Sequence, residues 1–456
     1  MNKDTAIQHR KKLAIIGAGE SGVGAAILAL KRGYDVFVSD LGSIPAKHKE
    51  ILSKHNISFE EQKHTENEIL KAEVVVKSPG IPLTATIIKK IKEKNIPLLS
   101  EIEFAAQYTN AKLICITGSN GKSTTATLTW YILNQAGLKV GLAGNIGKSF
   151  ALQVADKSVM DFYVLEISSF MLDDMKEFKA DIAVLLNITP DHLDRYDHNM
   201  DHYIDSKFRI IQNQKEEDIF IYCEDDAGIR RGLTRHMTPA KTYRFSQDIT
   251  GIEGAYLNKY NEMTIVVNDK TPFTMSINEL ALQGKHNVYN NMASGIVAKV
   301  LELKNESIRE SMGEYQNIPH RLEHVACISG INFINDSKAT NVNAVWYALE
   351  SFPANIILIL GGVDKGNDYQ MLKDLVRSKA SAIVCLGKDN KRIHEAFEND
   401  VDIIVNTVSM QDAVEVSFHL AKKGDTVLLS PACASFDLFK NYEDRGDQFK
   451  KAVREL

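Results

Sequence analysis

Read for its apolar positions, the chain alternates short buried runs ending in polar or glycine turns with longer stretches of helical period. LAIIGAG, from Leu13, is a strand entering a glycine turn, and ESGVGAAILALKRG is a helix. YDVFVSD and AEVVVKSPGIP are further strands. This alternation predicts a parallel sheet with helices on both faces. EKNIPLLSEIEFAAQYTNA marks a domain boundary, and a second α/β block opens at KLICITGSNGKSTT, with strands DFYVLEISS and DIAVLLNITPDH. Between about 241 and 280 the character changes to short β-like segments, KTYRFSQ, GAYLNKY and EMTIVVND, and the helix HNVYNNMASGIVAKVLEL follows. A third block holds the strands NIILILGGVDKG, SAIVCLGKD, DIIVNTVS and DTVLLSPACAS, separated by helices such as MQDAVEVSFHLAKKG. There is no internal repeat and no low-complexity tract.

The length of 456 residues fits about three domains. The expected fold is α/β with three domains: residues 1–100, Rossmann-like; 101–317, a P-loop ATPase-type parallel sheet with a small β subdomain; and 318–456, Rossmann-like again.

Composition narrows the function. A net charge of −5 argues against non-specific nucleic-acid binding, which needs a basic surface. Five dispersed cysteines without a CxxC exclude a disulfide framework or a cysteine zinc site and fit a reducing cytoplasm. His9–Lys12 followed by apolar Leu13–Leu30 imitates a signal peptide, but Glu20 interrupts the run and its glycines have a better use. No other run approaches the roughly 18 apolar residues of a membrane span.

The first chemical candidate is Gly17-x-Gly19-x-x-Gly22, after a strand and opening a helix. Such glycines let the backbone approach a phosphate at a helix N-terminus. Asp40 ends the next strand, where a ribose-binding carboxylate would sit. A dinucleotide oxidoreductase and a purely structural turn are both open on this motif alone. The second candidate is Thr117-Gly118-Ser119-Asn120-Gly121-Lys122-Ser123-Thr124, a shortened phosphate loop with Ile116 where the general pattern has glycine. Its backbone N–H groups would cradle a triphosphate, with Lys122 on the terminal phosphates and Ser123 on Mg²⁺. Two further strand ends deliver Glu166, then Asp191 and His192, to the edge where open parallel sheets bind ligands. A carboxylate and an imidazole beside a phosphate loop suit a divalent metal. Lys207, in YIDSKFRII, reads by itself as a surface lysine. Polar clusters at 336–341, 361–366 and 430–435 offer lysines and hydroxyls for an anionic substrate, or are ordinary loops.

Together these segments resemble the Mur ligase family of peptidoglycan precursor synthesis, over essentially the whole chain. GSNGKSTT, the Glu of LEISSF, the His of NITPDHLDRY, NIPHRLE and DSKATN belong to the family at large. GAGESG with KSPGIP, and above all LLSPACASFDLFKNYEDRGDQF, resemble its D-glutamate-adding branch. The Asp-Asn-Pro-Arg motif of the diaminoacid-adding branch is absent.

The resemblance implies ATP-driven, Mg²⁺-dependent attachment of D-glutamate to UDP-N-acetylmuramoyl-L-alanine by a cytoplasmic monomer. It places Glu20, Ser21, Asp40, Ser78, Gly80 and Asn145 near the UDP-sugar. Gly118, Ser119, Asn120, Gly121, Lys122, Ser123 and Thr124 would hold the ATP phosphates. Asn287 and Asn290 would face adenine, with Arg321 on phosphate and Asp336 on ribose. Ser123, Glu166, His192 and Lys207 would take the metal, Lys207 as a carbamate, which replaces the surface-lysine reading. Lys338, Thr340, Lys365, Ser435, Phe436 and Tyr442 would hold D-glutamate. The chain departs from the family at Leu41–Gly42, where a polar residue is common, and at Phe436, where leucine is common. Three rivals are a family ligase for another amino acid, an NAD(P)-linked oxidoreductase resting on GAGESG, and a non-catalytic nucleotide-binding module. No serine or cysteine triad offers a different chemistry.

Overall fold

The computed structural model describes residues 10–156, 159–191, 193–268, 271–315, 319–364 and 366–456. His192, Lys365, His9 and the Asn317–Ile318 start of NIPHRLE therefore lie outside the described residues. The chain forms two compact units, one of residues up to 275 together with 292–311, the other of 276–291 with 312–456.

The first unit carries two sheets. In the first, β1 (Lys12–Ile16), β2 (Asp35–Ser39), β3 (Ser58–Glu60), β4 (Val74–Lys77) and β5 (Leu98–Ser100) run in the order β3-β2-β1-β4-β5, all parallel. β1 sits at the centre because its apolar run is buried on both faces. Below it, Ala14, Ile16 and Val75 meet Ile87, Ile88 and Ile91 of the helix Thr86–Glu93. The stretch expected to be a boundary is structured. It supplies β5 and the helix Glu101–Ala106, capped by Ser100 Oγ accepting the Glu103 N–H at 3.1 Å. Glu103 then accepts the N–H groups of Lys176, Glu177 and Phe178 at 2.8, 2.5 and 3.1 Å, so this helix grips the loop that precedes β9.

The second sheet has nine strands: β6 (Lys112–Thr117), β7 (Val140–Gly144), β8 (Phe162–Glu166), β9 (Ile182–Leu185), β10 (Ile219–Cys223), β11 (Lys241–Ser246), β12 (Gly254–Leu257), β13 (Glu262–Val266) and β14 (Phe273–Ser276), whose last residue falls in the second unit. Their order is β14-β13-β12-β11-β10-β9-β6-β8-β7. The short segments after 241 thus continue the central sheet through β10. The sheet is parallel from β7 to β12, and β13 pairs antiparallel with β12.

The second unit holds β15 (Glu323–Ile328), β16 (Ile331–Asn335), β17 (Ile356–Leu360), β18 (Ala380–Leu386), β19 (Ile404–Thr407) and β20 (Thr426–Leu429), ordered β15-β16-β20-β17-β18-β19. Alternate residues of β17 feed opposite cores: Ile356, Leu358 and Leu360 on one face, Ile357 and Ile359 on the other. Helices on both faces explain the unbroken apolar runs of these strands. The antiparallel hairpin β15–β16 is new relative to the sequence reading; Ser329 and Gly330, at φ 54° and 81°, make its two-residue turn. Cys327 on β15 is exposed, while the other four cysteines are buried and all five are free.

Candidate functional site

The phosphate-loop candidate lies between β6 and the helix Lys122–Gln135. The loop is braced from beneath by the segment after β9. Asn187 accepts the Asn120 N–H at its Oδ1 (2.8 Å) and donates from Nδ2 to the Asn120 carbonyl (3.0 Å). The Ser119 N–H reaches the Asn187 carbonyl at 2.9 Å. Ser119 Oγ donates to the Thr189 carbonyl (2.8 Å), accepts the Thr189 N–H (3.0 Å) and meets Tyr203 Oη at 3.1 Å. With its underside spent this way, the loop is preorganised, and the positive end of a 14-residue helix stands behind it.

Two lysines converge on one carbonyl of this loop. Lys122 Nζ donates to the carbonyls of Gly118 and Ser119, both at 2.8 Å. Lys207 Nζ donates to the same Gly118 carbonyl at 2.9 Å and lies 4.8 Å from the centre of the Tyr203 ring. Lys207 is only 1% exposed, which corrects the reading of it as a surface lysine. Its helix, Met200–Phe208, turns Tyr203, Ile204, Lys207 and Phe208 inward together. Burial, and next the neighbouring Lys122 charge, push the Lys207 ammonium well below its ordinary pKa, against the pull of Asp191 and Asp173. A lysine in this state presents a neutral amine far more readily than one in water.

Glu166 ends β8 beside the loop, 1% exposed. Its Oε1 accepts Asn145 Nδ2 at 3.0 Å, and its Oε2 is buried with no hydrogen-bond partner. The close approach of Asn145 depends on Gly144, at φ +98°, where a Cβ would lie 2.1 Å from the Glu166 carbonyl. Thr124 Oγ1, in the first turn of the loop helix, is likewise buried and unpartnered. A buried carboxylate oxygen left open costs free energy unless a cation or donor completes it, so Glu166 fits a divalent metal. Among the described residues no three His, Cys, Asp or Glu side chains gather as an all-protein cage. The donors present suit a hard cation that takes its remaining ligands from phosphate oxygens and water.

At the carboxyl edge of the first sheet, Asp40 Oδ2 accepts the Ala18 N–H at 2.6 Å and Oδ1 the Gly42 N–H at 2.7 Å. The carboxylate thus pins the glycine turn to the Leu41–Gly42 loop, with lone pairs to spare. A Cβ at Gly19 or at Gly80 would meet nothing within 4 Å, so both glycines leave backbone open to a ligand. Glu20 and Ser21 open the next helix at this edge, and Ser78 follows β4.

In the second unit, Asp336 follows β16 and Ser430 follows β20. Asp336 accepts the Ser430 hydroxyl at 2.9 Å and the Leu322 N–H at 3.2 Å. Burial raises its carboxyl to about 6, with Arg321 opposing. Lys338 Nζ lies 3.4 Å from Tyr442 Oη. Asn287 and Asn290 are buried one turn apart and bond to each other at 3.0 Å. Arg445, buried, donates to the carbonyls of Ser337 (2.8 Å) and Cys433 (3.1 Å) and to Ser337 Oγ (3.0 Å), fastening the two loops that carry Lys338 and Ser435. Ser435 is buried, Thr340 is exposed and Phe436 is 70% exposed, so its ring does not pack in the described structure. Asn187, Thr189, Tyr203 and Arg445 were not singled out from sequence. A polar residue closing an apolar strand, as in DIAVLLN, is the signal that would have found Asn187.

Comparison with known proteins agrees along the whole chain. The family model for a MurD N-terminal domain matches residues 12–86, that for the Mur ligase middle domain 116–298, and that for the Mur ligase glutamate ligase domain 320–433. A UDP-N-acetylmuramoylalanine–D-glutamate ligase of Bacteroides fragilis is 55% identical over 447 residues, 98% of this chain and 100% of the relative. A pseudomurein peptide ligase type C from Methanothermus fervidus shares the fold at a TM-score of 0.64 and 19% identity, covering 98% of this chain and 100% of that one. A MurF ligase from Thermotoga maritima in complex with ADP does so at 0.61 and 14% identity, covering 92% and 95%.

Replacing Gly144 by alanine is expected to lower stability by roughly 2–4 kcal/mol, because the methyl group collides with the Glu166 carbonyl at a positive φ. A urea titration of the full chain followed by circular dichroism measures it, and an unchanged midpoint would contradict the packing.

Proposed function

The chain belongs to the Mur ligase family, and from that premise we propose that it joins D-glutamate to UDP-N-acetylmuramoyl-L-alanine with cleavage of ATP to ADP and phosphate, in peptidoglycan precursor synthesis. The observation that carries this reading is the 55% identity, over 98% of the chain, to a relative named for that reaction. A carboxylate is a poor acyl donor, so the alanyl carboxylate first attacks the γ-phosphate of ATP, ADP leaves, and an acyl phosphate forms. The D-glutamate amine then attacks the acyl carbon, and phosphate leaves as the amide forms.

This chain's residues divide the work. The loop N–H groups of residues 118–124 cradle the phosphates, and Lys122 exchanges its carbonyl partners for phosphate oxygens as charge spreads over the transferring group. Ser123, Glu166, His192 and Lys207 would hold Mg²⁺, which would supply neutralisation of the phosphate charge when bound. Lys207 would do so as a carbamate: its neutral amine adds to CO₂, an N–C bond forms, one proton is released, and a neutral amine becomes an anion. Glu20, Ser21, Asp40, Ser78, Gly80 and Asn145 are assigned to the UDP-sugar. Asn287, Asn290, Arg321 and Asp336 are assigned to the nucleotide, and Lys338, Thr340, Lys365, Ser435, Phe436 and Tyr442 to D-glutamate. The working division is residues 1–100, 101–317 and 318–456. No helix of the described residues is long and apolar enough to cross a membrane. We place the reaction in the cytoplasm, where ATP is available, and take the active form as a monomer.

Phosphate release from ATP and Mg²⁺ with UDP-N-acetylmuramoyl-L-alanine tests the reaction directly. Release should appear with D-glutamate and give the matching product mass; release with another amino acid instead would reassign the acceptor. Lys122→Ala should lower kcat about a thousand-fold, and retained turnover would remove its phosphate role. Lys207→Ala should lose most activity and regain part of it with acetate, while full activity without additive would eliminate the carbamate.

A further inference from the structure

Lys77 is the last residue of β4, closing the apolar run VVVK, and it is buried to 1% exposure. Its side chain turns under the loop that follows. Nζ donates to the Ile81 carbonyl at 2.7 Å and to the Ser78 carbonyl at 3.2 Å. Those residues bracket a turn with Pro79 at its first central position, closed by the Ile81 N–H on the Ser78 carbonyl at 3.1 Å. The third partner is Asp174 Oδ2 at 2.7 Å, itself nearly buried. Asp174 sits at the C-terminus of the helix Ser169–Asp173, where its negative charge opposes the helix dipole and Lys77 offsets it.

The two ends of this clasp have different neighbours. On one side, the turn forms a wall of the glycine loop: the Ser78 N–H bonds the Ile16 carbonyl at 2.9 Å, and a Cβ at Gly17 would lie 2.7 Å from Ser78 Oγ. On the other, the residue before Asp174 is tied to the catalytic wall. Asp173 accepts Ser206 Oγ at 2.6 Å and Tyr196 Oη at 2.9 Å, and Ser206 precedes Lys207. The loop after Asp174 is held by Glu103 through three N–H groups. One buried lysine side chain therefore connects the proline–glycine turn beside the glycine loop to a point held from two directions.

We propose that Lys77 is a positioning residue for the UDP-sugar, fixing the Ser78–Ile81 turn against the glycine loop and anchoring it to Asp174. The inference rests on the assignment of Ser78 and Gly80 to the UDP-sugar made above. Lys77 touches no substrate in this role. It preorganises backbone groups that do, so its loss costs affinity for that substrate alone.

The test uses the full chain and three variants. Lys77→Met strands the Asp174 carboxylate in the interior, which by itself destabilises. Lys77→Met/Asp174→Leu removes both charges and keeps the packing volume. Asp174→Asn leaves Lys77 on its two carbonyls. In phosphate-release kinetics the double variant should raise KM for UDP-N-acetylmuramoyl-L-alanine about ten-fold, with kcat and the KM values for ATP and D-glutamate within about two-fold. Calorimetric binding of the UDP-sugar should weaken by the same factor, at a thermal midpoint close to wild type. Asp174→Asn should shift that KM less than about three-fold. A double variant with unchanged UDP-sugar affinity overturns the proposal, as does one in which all three KM values and kcat worsen together with the thermal midpoint. A wild-type chain that binds the UDP-sugar but releases no phosphate would instead refute the proposed reaction, and the binding comparison would still decide the role of Lys77.

Discussion

The Gly118 carbonyl receives two ammonium groups, from Lys122 and Lys207, and the rest of the central site follows from that crowding. Burial first, and then the neighbouring Lys122 charge, disfavour the protonated form of Lys207. Lys122 sits at the solvent side of the loop and Lys207 is sealed beneath it, so Lys207 is the one whose charge is suppressed. The arrangement requires a loop that cannot relax away from the lysines. Asn187, Thr189 and Tyr203 supply that rigidity by consuming the loop's inward-facing polar groups. The same sealing leaves Glu166 with one oxygen satisfied and one open. A site with a reluctant cation and an incomplete anion is one prepared to take up charge of both signs.

Buried cations serve elsewhere as fasteners. Arg445 joins the loops after β16 and β20 through main-chain carbonyls, and Lys77 does the same for the turn after β4. Carbonyl partners suit this role because they are fixed by the strands that deliver them and do not titrate. Each fastener lies at the carboxyl end of parallel strands, the edge where loops are free to carry chemistry and most need support.

Much of this architecture was legible in the sequence, because apolar strands that end in polar loops announce both a parallel sheet and its functional edge. The phosphate loop, Glu166 and Asp336 stand where their strands deliver them. Lys207 was harder: its polarity suggested solvent, although Tyr203, Ile204, Lys207, Phe208 and Ile211 share one helical face, which places the lysine on an apolar stripe. The hairpin β15–β16 escaped because its first strand is only half-buried and lacks a continuous apolar run, leaving the Ser329–Gly330 pair as the one strong sign. Partners distant in sequence, such as Lys77 with Asp174 or Glu103 with 176–178, have no local signature at all. They are properties of the packed chain.

The distribution of thiols has a practical side. Burial raises the pKa of Cys115, Cys223, Cys385 and Cys433 and screens them from reagents, whereas Cys327 stands exposed on a sheet-edge hairpin of the second unit. A maleimide dye would find one address on the folded protein, remote in sequence from the phosphate loop and attached to a different unit. A single added cysteine on the first unit would complete a donor–acceptor pair. The native chain thus already carries one of the two dye positions that a distance measurement between labelled sites needs.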